Sequence, residues 1–529
     1  MDKALRTIVI VGGGAAGWLT AGLLAAEHNA DQGKLLAAPP LQISLLESPD
    51  VPIIGVGEGS WPSLRLTLEK IGLSETDFLR CCEASFKQGS CFNGWRADVG
   101  AGSAVGSHNS YLHPFSLPEG WQELELCRYW QPFRHEVAYA DAVCQQFRLC
   151  QLQLAPKQIS TAEYSFINNY GYHLNAHKFS ELLQQHITTK LGVTYLRDHI
   201  EQIHQRLDGE IDRLTTAAHG DIRADLFIDC SGSRSLLLGQ QLAVPFIRVG
   251  QQLFNDSALA VQMPYPAPDS AIASCTLSTA QPAGWIWDIA LASRRGVGHV
   301  YSSAHQTDEQ AAWQLEHYLT TEFGAAAARQ AQLRQLRFNP GYYQRCWQGN
   351  CVAVGMAAGF IEPLEASALA LIEWSAKFIA SQLPARHSQM AATANRMNQR
   401  FRQHWQQIIS FLKLHYVLSE KTEHPYWLDH RASSSVPAEL TEQLAYWRYQ
   451  PPTAADFGYS DALFPAASYL YVLLGMGFHT EYRADKPSAQ RRAQQLFTQN
   501  QQKCQQLVAA LDGNRQLLEK VARYGFSKI

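Results

Sequence analysis

The chain begins with an apolar run that breaks into glycines. Ile8 to Val11 is β-branched and uncharged, which is typical of a parallel strand buried on both faces. The motif Gly12-x-Gly14-x-x-Gly17 follows directly, and Trp18 to Ala26 continues as an apolar helix. Such a turn lets the backbone approach a pyrophosphate, and the N-terminal amides of the helix would face the phosphates. The pattern predicts a nucleotide site here.

A second apolar run ends in an acid. Leu41 to Glu47 is predicted as the next strand, and the carboxylate of Glu47 at its end can hold a ribose hydroxyl. The polar insert Glu27 to Pro40 makes the spacing longer than usual. A glycine-rich turn without a ligand is the alternative, but the complete order of strand, turn, helix, strand and acid favours a bound dinucleotide. Its predicted contacts in this unit are Gly12, Gly13, Gly14, Ala15, Ala16, Gly17, Glu47 and Ser48.

Buried strands recur far along the chain. Ala224 to Ser233 and Cys351 to Phe360 each contain an apolar run followed by small residues. They predict an α/β fold with one discontinuous, Rossmann-like nucleotide-binding domain and a β-sheet substrate region inserted into it. Cys144 to Leu154 and Ala273 to Val300 have strand-like alternation and are predicted to build the inserted sheet.

After about residue 390 the apolar positions take helical spacing. Arg396 to Tyr416, Ala438 to Tyr449 and Ala489 to Tyr524 are predicted helices. We therefore predict two units: residues 1–390 form the nucleotide-binding domain with its inserted substrate-side sheet, and residues 391–529 form a helical substrate-side subdomain.

Composition narrows the class of protein. The chain has 529 residues, 46% of them hydrophobic and 17% charged, and its net charge of −3 gives no reason to expect nucleic acid or an anionic membrane surface. No apolar stretch approaches the ~18 residues of a membrane span, and the first residues leave no room for a signal peptide. The 11 cysteines contain no CxxC pair, which predicts reduced thiols and a cytoplasmic protein. Adjacent Cys81 and Cys82 fit helix packing better than redox chemistry.

A glycine-containing loop follows the second strand. Glu47 to Ser60 is mostly uncharged and contains three glycines, which let the backbone lie flat against a large ring. This suits an isoalloxazine better than a nicotinamide, although a plain connection is the alternative. Ile54, Val56 and Gly59 are its predicted cofactor contacts.

A lysine among aromatic residues is the first candidate catalytic group. A helix is predicted to begin at Ser74, which forms a capping box with Asp77, and to end at Lys87. Phe92 and Trp95 follow, and desolvation among aromatic side chains lowers the pKa of a lysine and exposes a nucleophilic amine. A solvated lysine at a helix C-terminus is the alternative.

A second apolar helix supplies candidate anion donors. It is predicted from Leu364 to Phe378, with the amides of Ser367 and Ala368 in its first turn, where unpaired donors attract an anion. Glu365 is either a catalytic carboxylate or an acid that complements the helix dipole. No metal is predicted, because Asn175 as an N-cap would place His173 outside the helix that carries His177.

Together these motifs resemble the flavin-dependent tryptophan halogenases. The segments that carry the resemblance occur in the family's order and are Gly12 to Trp18, Gly55 to Gly59, Ser85 to Lys87, Ala224 to Gly232, Trp285 to Ile289 and Gly359 to Glu365. Leu412 to Tyr416 and Pro425 to Trp427 resemble the family's C-terminal helical region more loosely. The resemblance implies the flavin monooxygenase type of fold with bound FAD, for which Met356 and Leu369 are further contacts.

The resemblance also implies a reaction. FADH2 from a separate reductase, dioxygen and a chloride or bromide ion bound at Ser367 and Ala368 yield hypohalous acid. This acid passes through an internal tunnel to Lys87, where it forms a haloamine or accepts a hydrogen bond. Glu365 then polarises the oxidant or removes the ring proton.

The resemblance also implies a role for two tryptophans and the class of the substrate. Trp285 and Trp287 keep the organic substrate, an electron-rich and indole-like aromatic compound with tryptophan as one candidate, away from the flavin. Homodimers are common in the family.

Three positions depart from the family pattern. Ala290 stands in place of a proline, Ala366-Ser367-Ala368 replaces Ser-Thr-Gly, and Met356 stands where related monooxygenases have an aspartate. Two alternatives stay open, a flavin-dependent aromatic hydroxylase and, because of Ala290, Ala366 and Ala368, an FAD-binding protein without halogenase activity.

Overall fold

The computed structural model describes residues 2–29, 40–51, 57–96, 109–458, 462–482 and 487–528. In these ranges the strands β1 to β22 are, in order, Thr7–Val11, Gln42–Glu47, Glu58–Gly59, Ser85–Lys87, Gly89–Asn93, Ser110–Pro114, Gly171–Leu174, Thr194–Arg197, Ile200–Gln205, Ile211–Thr216, Gly220–Ile222, Leu226–Asp229, Phe246–Arg248, Ser257–Pro264, Thr276–Gln281, Gly284–Ala290, Arg294–Tyr301, Arg334–Arg337, Gly341–Tyr343, Trp347–Gln348, Cys351–Ala353 and Gly359–Phe360. The helices α1 to α16 are Ala15–His28, Ser63–Lys70, Glu75–Cys81, Leu126–Trp130, Tyr139–Val143, Gln146–Gln151, Ala176–Lys190, Asp308–Phe323, Ala325–Gln330, Ser367–Ser381, Met390–Val417, Pro425–Arg431, Ala438–Trp447, Ala466–Gly475, Pro487–Ala510 and Asn514–Tyr524.

A six-stranded sheet has the order β20-β21-β12-β1-β2-β8. β1 is central and pairs in parallel with both β2 and β12, and β12 pairs in parallel with β21. The helix α1 packs against α7 and α10. Strands from distant parts of the chain thus enter one sheet, which confirms the predicted α/β fold.

A seven-stranded sheet, β18-β14-β17-β16-β15-β5-β6, forms the second large layer. The prediction of strands within Ala273 to Val300 is confirmed by β15, β16 and β17. The prediction for Cys144 to Leu154 is wrong, since this segment contains α6. Its buried side chains, Gln146, Phe147, Leu149 and Cys150, follow the i, i+1, i+3, i+4 spacing of a helix face rather than strict alternation.

The predicted helix from Ser74 to Lys87 is too long. Ser74 does cap the helix, because its side chain accepts a hydrogen bond from the Asp77 amide at 3.2 Å, but α3 ends at Cys81. Glu83 then takes a left-handed φ of 51°, which breaks the helix. Lys87 instead ends β4, which pairs with β7 in the small sheet β3-β7-β4. Only Gln88 separates it from β5 of the seven-stranded sheet.

The later part of the chain is helical, as predicted. α11 runs for 28 residues, and the predicted helix over Ala489 to Tyr524 is divided into α15 and α16. α10 begins at Ser367 rather than Leu364, because Ala366 adopts a left-handed φ of 54°. Among the described residues, no helix combines the length and apolar character that crossing a membrane requires.

Candidate active site

The glycine motif forms the turn between β1 and α1. Gly12 has a φ of 119°, and a Cβ at this position would collide with the backbone carbonyl of Cys230 at the end of β12. Gly14 precedes α1 and has open space where a side chain would lie. Ala15 and Ala16 begin the helix. The turn therefore leaves room for a pyrophosphate at the N-terminus of α1.

Glu47, at the end of β2, lies next to this turn. Its Oε2 accepts a hydrogen bond from the hydroxyl of Tyr195 at 2.8 Å. Ser48 Oγ lies 3.3 Å from Nδ1 of His199. Tyr195 and His199 were not found from the sequence, because only the parallel pairing of β2 with β8 brings them to this edge.

A cavity of about 550 Å³ extends from the predicted flavin contacts to Lys87. It is lined in part by Gly59, Lys87, Trp287, Met356, Ala366, Ala368 and Leu369. Ile54 and Val56 lie outside the described residues. The cavity is mainly apolar with a few polar groups, and glycines permit close backbone approach, so the residues present fit a flavin ring.

The amine of Lys87 is buried beside this cavity. Its residue is 1% exposed, and burial lowers the pKa of Lys87 to about 8 even though the charge of Glu365 raises it. A Cβ on Gly59 would lie 3.0 Å from the Lys87 Nζ, so a glycine here gives the amine its space. The ring centroid of Phe115 is 5.4 Å from Nζ. Lys87 is therefore neither solvated nor at a helix end.

Glu365 precedes α10 and is also buried. Its Oε1 lies 2.9 Å from Nδ1 of His113 and 3.2 Å from Nε2 of His415. Burial alone raises the pKa of Glu365, but the charge of and hydrogen bond from His113, together with the charge of His415, outweigh this and lower it to about 2. The Trp61 indole N–H donates to the backbone carbonyl of Glu365 at 2.7 Å. Glu365 is thus a fixed, ionised carboxylate.

His415 is in turn held by neighbouring aromatic side chains. The hydroxyl of Tyr111 lies 2.5 Å from Nδ1 of His415, and the Phe92 ring stacks on His415 with centroids 4.6 Å apart. Sequence reasoning missed His113 and Tyr111, which β6 contributes. For His415 the signal was present in the segment Leu412 to Tyr416, but its position on a long helix did not reveal what it contacts.

The halide candidates lie close to the lysine. α10 begins with Ser367, and Ala366 and Ala368 on either side of it line the cavity. A Cβ on Gly59 would lie 3.0 Å from the Lys87 amine and 3.4 Å from the Ala366 Cβ. The start of this helix and the buried amine are therefore near neighbours.

The two candidate shielding tryptophans occupy different positions on β16. Trp287 lines the cavity, whereas Trp285 is fully buried and donates its indole N–H to Oε2 of Glu362 at 2.9 Å. Their ring centroids are 6.4 Å apart. Glu362, whose pKa is raised by burial, was not found from the sequence.

The histidines considered for a metal lie apart. His173 is on β7, with Nε2 2.8 Å from Oγ1 of Thr276, while His177 on α7 is exposed and 3.4 Å from Glu181. Asn175 caps α7, as predicted. Across the ranges that the structure describes, no group of three or more His, Cys, Asp or Glu residues is arranged to hold a metal.

Comparisons with known proteins indicate one family. A family model described as tryptophan halogenase matches residues 7–493. The chain is 30% identical to tryptophan 7-halogenase RebH of Lentzea aerocolonigenes, over 81% of this chain and 79% of that protein. It is 29% identical to tryptophan 6-halogenase ThaL of Streptomyces albogriseolus, over 98% and 99%. The crystal structure of a tryptophan halogenase from Shewanella frigidimarina NCIMB 400 is 58% identical, with a TM-score of 0.95 and full coverage of both chains.

Proposed function

Because the chain belongs to the tryptophan halogenase family and is a flavin-dependent halogenase, we propose that it uses FADH2, dioxygen and a halide to halogenate an indole-like aromatic compound. Tryptophan, the substrate in its relatives' names, is the first candidate. One observation carries the proposal: a buried amine, Lys87, and a buried carboxylate, Glu365, lie together beside a cavity that fits a flavin.

FAD is held by the turn Gly12 to Gly17, by Glu47 and Ser48, and along the cavity by Gly59, Met356 and Leu369. Bound there, it supplies the electrons that activate dioxygen for oxidation of the halide. The open space at Gly14 and the position of Glu47 beside the turn support this assignment. Ile54 and Val56 stay predictions from the sequence.

The halide binds at the first amides of α10. Ser367 and Ala368 contribute backbone donors at a helix N-terminus, where the dipole also favours an anion. The alanine at position 368 keeps its amide, so the departure from glycine does not remove the donor. Chloride and bromide both fit this description, and oxidation of either gives hypohalous acid.

Lys87 receives the hypohalous acid. With a pKa of about 8, its side chain changes protonation state near neutral pH. The ammonium form donates a hydrogen bond to the acid, which makes the halogen more electrophilic. The amine form attacks the halogen, so that an N–X bond forms, the X–O bond breaks and water leaves with the amine proton.

Glu365 accepts the proton that the aromatic ring loses after halogen addition. Its carboxylate is ionised at any pH near neutrality, and His113 and His415 hold the oxygen in place. Trp287 and, behind it, Trp285 separate the flavin from the organic substrate, so that the oxidant and not the flavin reaches the ring.

The proposal also covers the source of FADH2, the location of the protein in the cell and its oligomeric state. We propose that a separate flavin reductase supplies FADH2, that the protein is cytoplasmic, and that it forms a homodimer.

The test is the mass of the product. The protein is incubated with FAD, a flavin reductase, NADH and a panel of indoles, with chloride or bromide. A product with the isotope pattern of the added halogen supports the proposal. A gain of one oxygen identifies an aromatic hydroxylase, and bound FAD with no modified indole identifies a flavin-binding protein without this activity.

A further inference from the structure

A threonine and a histidine near Lys87 have no role in the halogenation proposed above. The Oγ1 of Thr276, the first residue of β15, lies 2.8 Å from Nε2 of His173 on β7. His173 is fully buried and Thr276 is nearly so. Thr276 and Lys87 line the same cavity. The pair therefore borders the space in which the oxidant is proposed to meet the lysine.

The small sheet β3-β7-β4 places His173 on the same face as Lys87. His173 and Gly171 are two residues apart on β7 and so share a face, and Lys87 is paired with Gly171. Gly59 on β3 is paired with His173, and a Cβ on Gly59 would lie 3.0 Å from the Lys87 Nζ. Both strands next to β7 thus direct this face towards the amine.

The seven-stranded sheet directs Thr276 towards the cavity. Thr276 and Ser278 are two residues apart on β15 and share a face. Ser278 is paired with Trp287, which also lines the cavity. The backbone N–H of Gln88, the residue after the lysine, donates to the carbonyl oxygen of Ser274 at 2.6 Å and holds the start of β15 beside β4. The hydroxyl and the amine therefore reach one space from two different sheets.

The Thr276 hydroxyl keeps an unused hydrogen-bonding site. A hydroxyl has one proton and two lone pairs, and among the described residues His173 is its one hydrogen-bond partner. Whichever ring nitrogen of His173 carries the proton, at least one lone pair of the hydroxyl oxygen stays available. Burial and the charge of Lys87 lower the pKa of His173 well below its ordinary value, so the imidazole is neutral. The cavity thus has a neutral acceptor beside the lysine.

We propose that the Thr276 hydroxyl, held in place by His173, binds hypohalous acid beside Lys87 by accepting a hydrogen bond from its O–H group. The inference rests on the proposed function, because that reaction supplies the acid. The Lys87 side chain donates to the oxygen of the same molecule. Both hydrogen bonds engage the O–H group and leave the halogen exposed to the aromatic ring. Thr276 contacts the oxidant, whereas His173 is a positioning residue that acts through Thr276.

This arrangement distinguishes the acid from the halide. A chloride or bromide ion carries no proton and cannot donate to a lone pair of Thr276, whereas hypohalous acid can. The pKa of Lys87 is about 8, so near neutral pH its side chain is mainly the ammonium ion, which donates to the oxygen of the acid. The two groups together therefore retain the oxidant in preference to the ion from which it is made.

The experiment measures how much oxidant escapes from Thr276→Val, which lacks the hydroxyl. The variant is supplied with FAD, a flavin reductase, NADH, air, catalase, bromide and an indole that the wild type brominates. Monochlorodimedone captures the hypobromous acid that reaches solution, and mass spectrometry measures the brominated indole. The ratio of captured acid to brominated indole should rise about 3- to 10-fold, the effect expected for one hydrogen bond. Oxygen uptake should be unchanged, because the hydroxyl is not needed to form the oxidant.

Further variants separate the hydroxyl from the shape of the side chain. Thr276→Ser keeps the hydroxyl and should give the wild-type ratio. Thr279→Val is the matched control, because it makes the same substitution on β15 at a residue outside the cavity lining and should also leave the ratio unchanged. His173→Leu should raise the ratio less than Thr276→Val does. Added to Thr276→Val it should raise the ratio no further, because the histidine acts through this hydroxyl.

The outcomes separate this inference from the function on which it rests. An unchanged ratio in Thr276→Val, measured beside a wild type that brominates the indole, overturns the inference alone. An equal rise in Thr276→Ser or in Thr279→Val also overturns it, because the hydroxyl of Thr276 would not be the cause. A wild type that brominates no indole overturns the proposed function and this inference with it.

Discussion

Nδ1 of His113 lies 2.9 Å from Oε1 of Glu365, and both side chains are buried. The same oxygen is 3.2 Å from Nε2 of His415. An ionised carboxylate in an apolar interior is costly unless partners hold it, and here two imidazoles converge on one oxygen. This arrangement makes the protonation state of Glu365 depend on residues contributed by two other elements, β6 and α11.

Glu365→Gln tests the carboxylate directly. The amide has nearly the same shape but accepts a proton poorly, so halogenated product should fall by at least ~10-fold. The rate of FADH2 oxidation by dioxygen, followed by oxygen uptake, should stay within about 2-fold, because that step does not need a base. An unchanged product yield would mean that Glu365 has no catalytic role and only complements the dipole at a helix terminus.

His415→Phe should change the pH dependence of halogenation. The pKa of Glu365, now about 2, rises when the electrostatic support of His415 is withdrawn. The working carboxylate is present above its pKa and is lost as the pH falls through it, so the acid limb of the profile should move to higher pH.

A matched variant separates this effect from damage to packing. Tyr111→Phe keeps His415 and its ring contacts but removes the hydroxyl 2.5 Å from its Nδ1, and should give a smaller shift in the same direction. Equal loss of activity at every pH in both variants would assign His415 a packing role only.

Lys87→Ala should abolish aryl halogenation and leave FADH2 oxidation intact. The amine lies beside the cavity, which residues of the glycine turn that is proposed to hold FAD do not line. Liquid chromatography with mass detection measures the product, and flavin absorbance measures the retained half-reaction. Normal halogenation by this variant would refute the proposed role of the lysine.

Lys87→Met should make the protein more stable at neutral pH. The pKa of Lys87 falls from 10.5 to about 8 on folding, so the folded chain binds this proton more weakly than the unfolded chain. Below pH 8 the buried charge therefore costs on the order of 3 kcal/mol, and the cost vanishes as the pH rises from about 8 towards 10.5.

Urea unfolding measures that difference. The methionine variant should exceed the wild type at pH 7 and approach it at pH 10. A gap of the same size at both pH values would mean that the buried charge is not its cause.

The elements that form from contiguous residues were predicted correctly from the sequence. β1, the glycine turn, α1 and β2 follow one another along the chain, so a local pattern was enough to predict them. Lys87 and Glu365 were candidates from their local sequence, and the family resemblance assigned their roles. These roles stay predictions, as does the division of the chain near residue 390.

What the sequence did not reveal depends on distant pairing or on single backbone angles. Lys87 was placed on a helix because the pattern contains no sign that Glu83 adopts a left-handed φ. Tyr195 lies 148 positions from Glu47 along the chain, and His113 lies 252 positions from Glu365. His415 lies 50 positions from Glu365, on α11. Such contacts arise only once the sheets have formed.

Gln88 alone separates the strand of Lys87 from the seven-stranded sheet, and this has a consequence for how the protein can diversify. The amine is anchored by pairing with β7, whereas His113 and the aromatic side chains near it come from β5 and β6. Substitutions in the seven-stranded sheet can fit its side chains to a different aromatic ring. They leave the strand pairing that holds the Lys87 amine intact. A lineage can therefore acquire new substrates while it inherits the same halogen-transferring group.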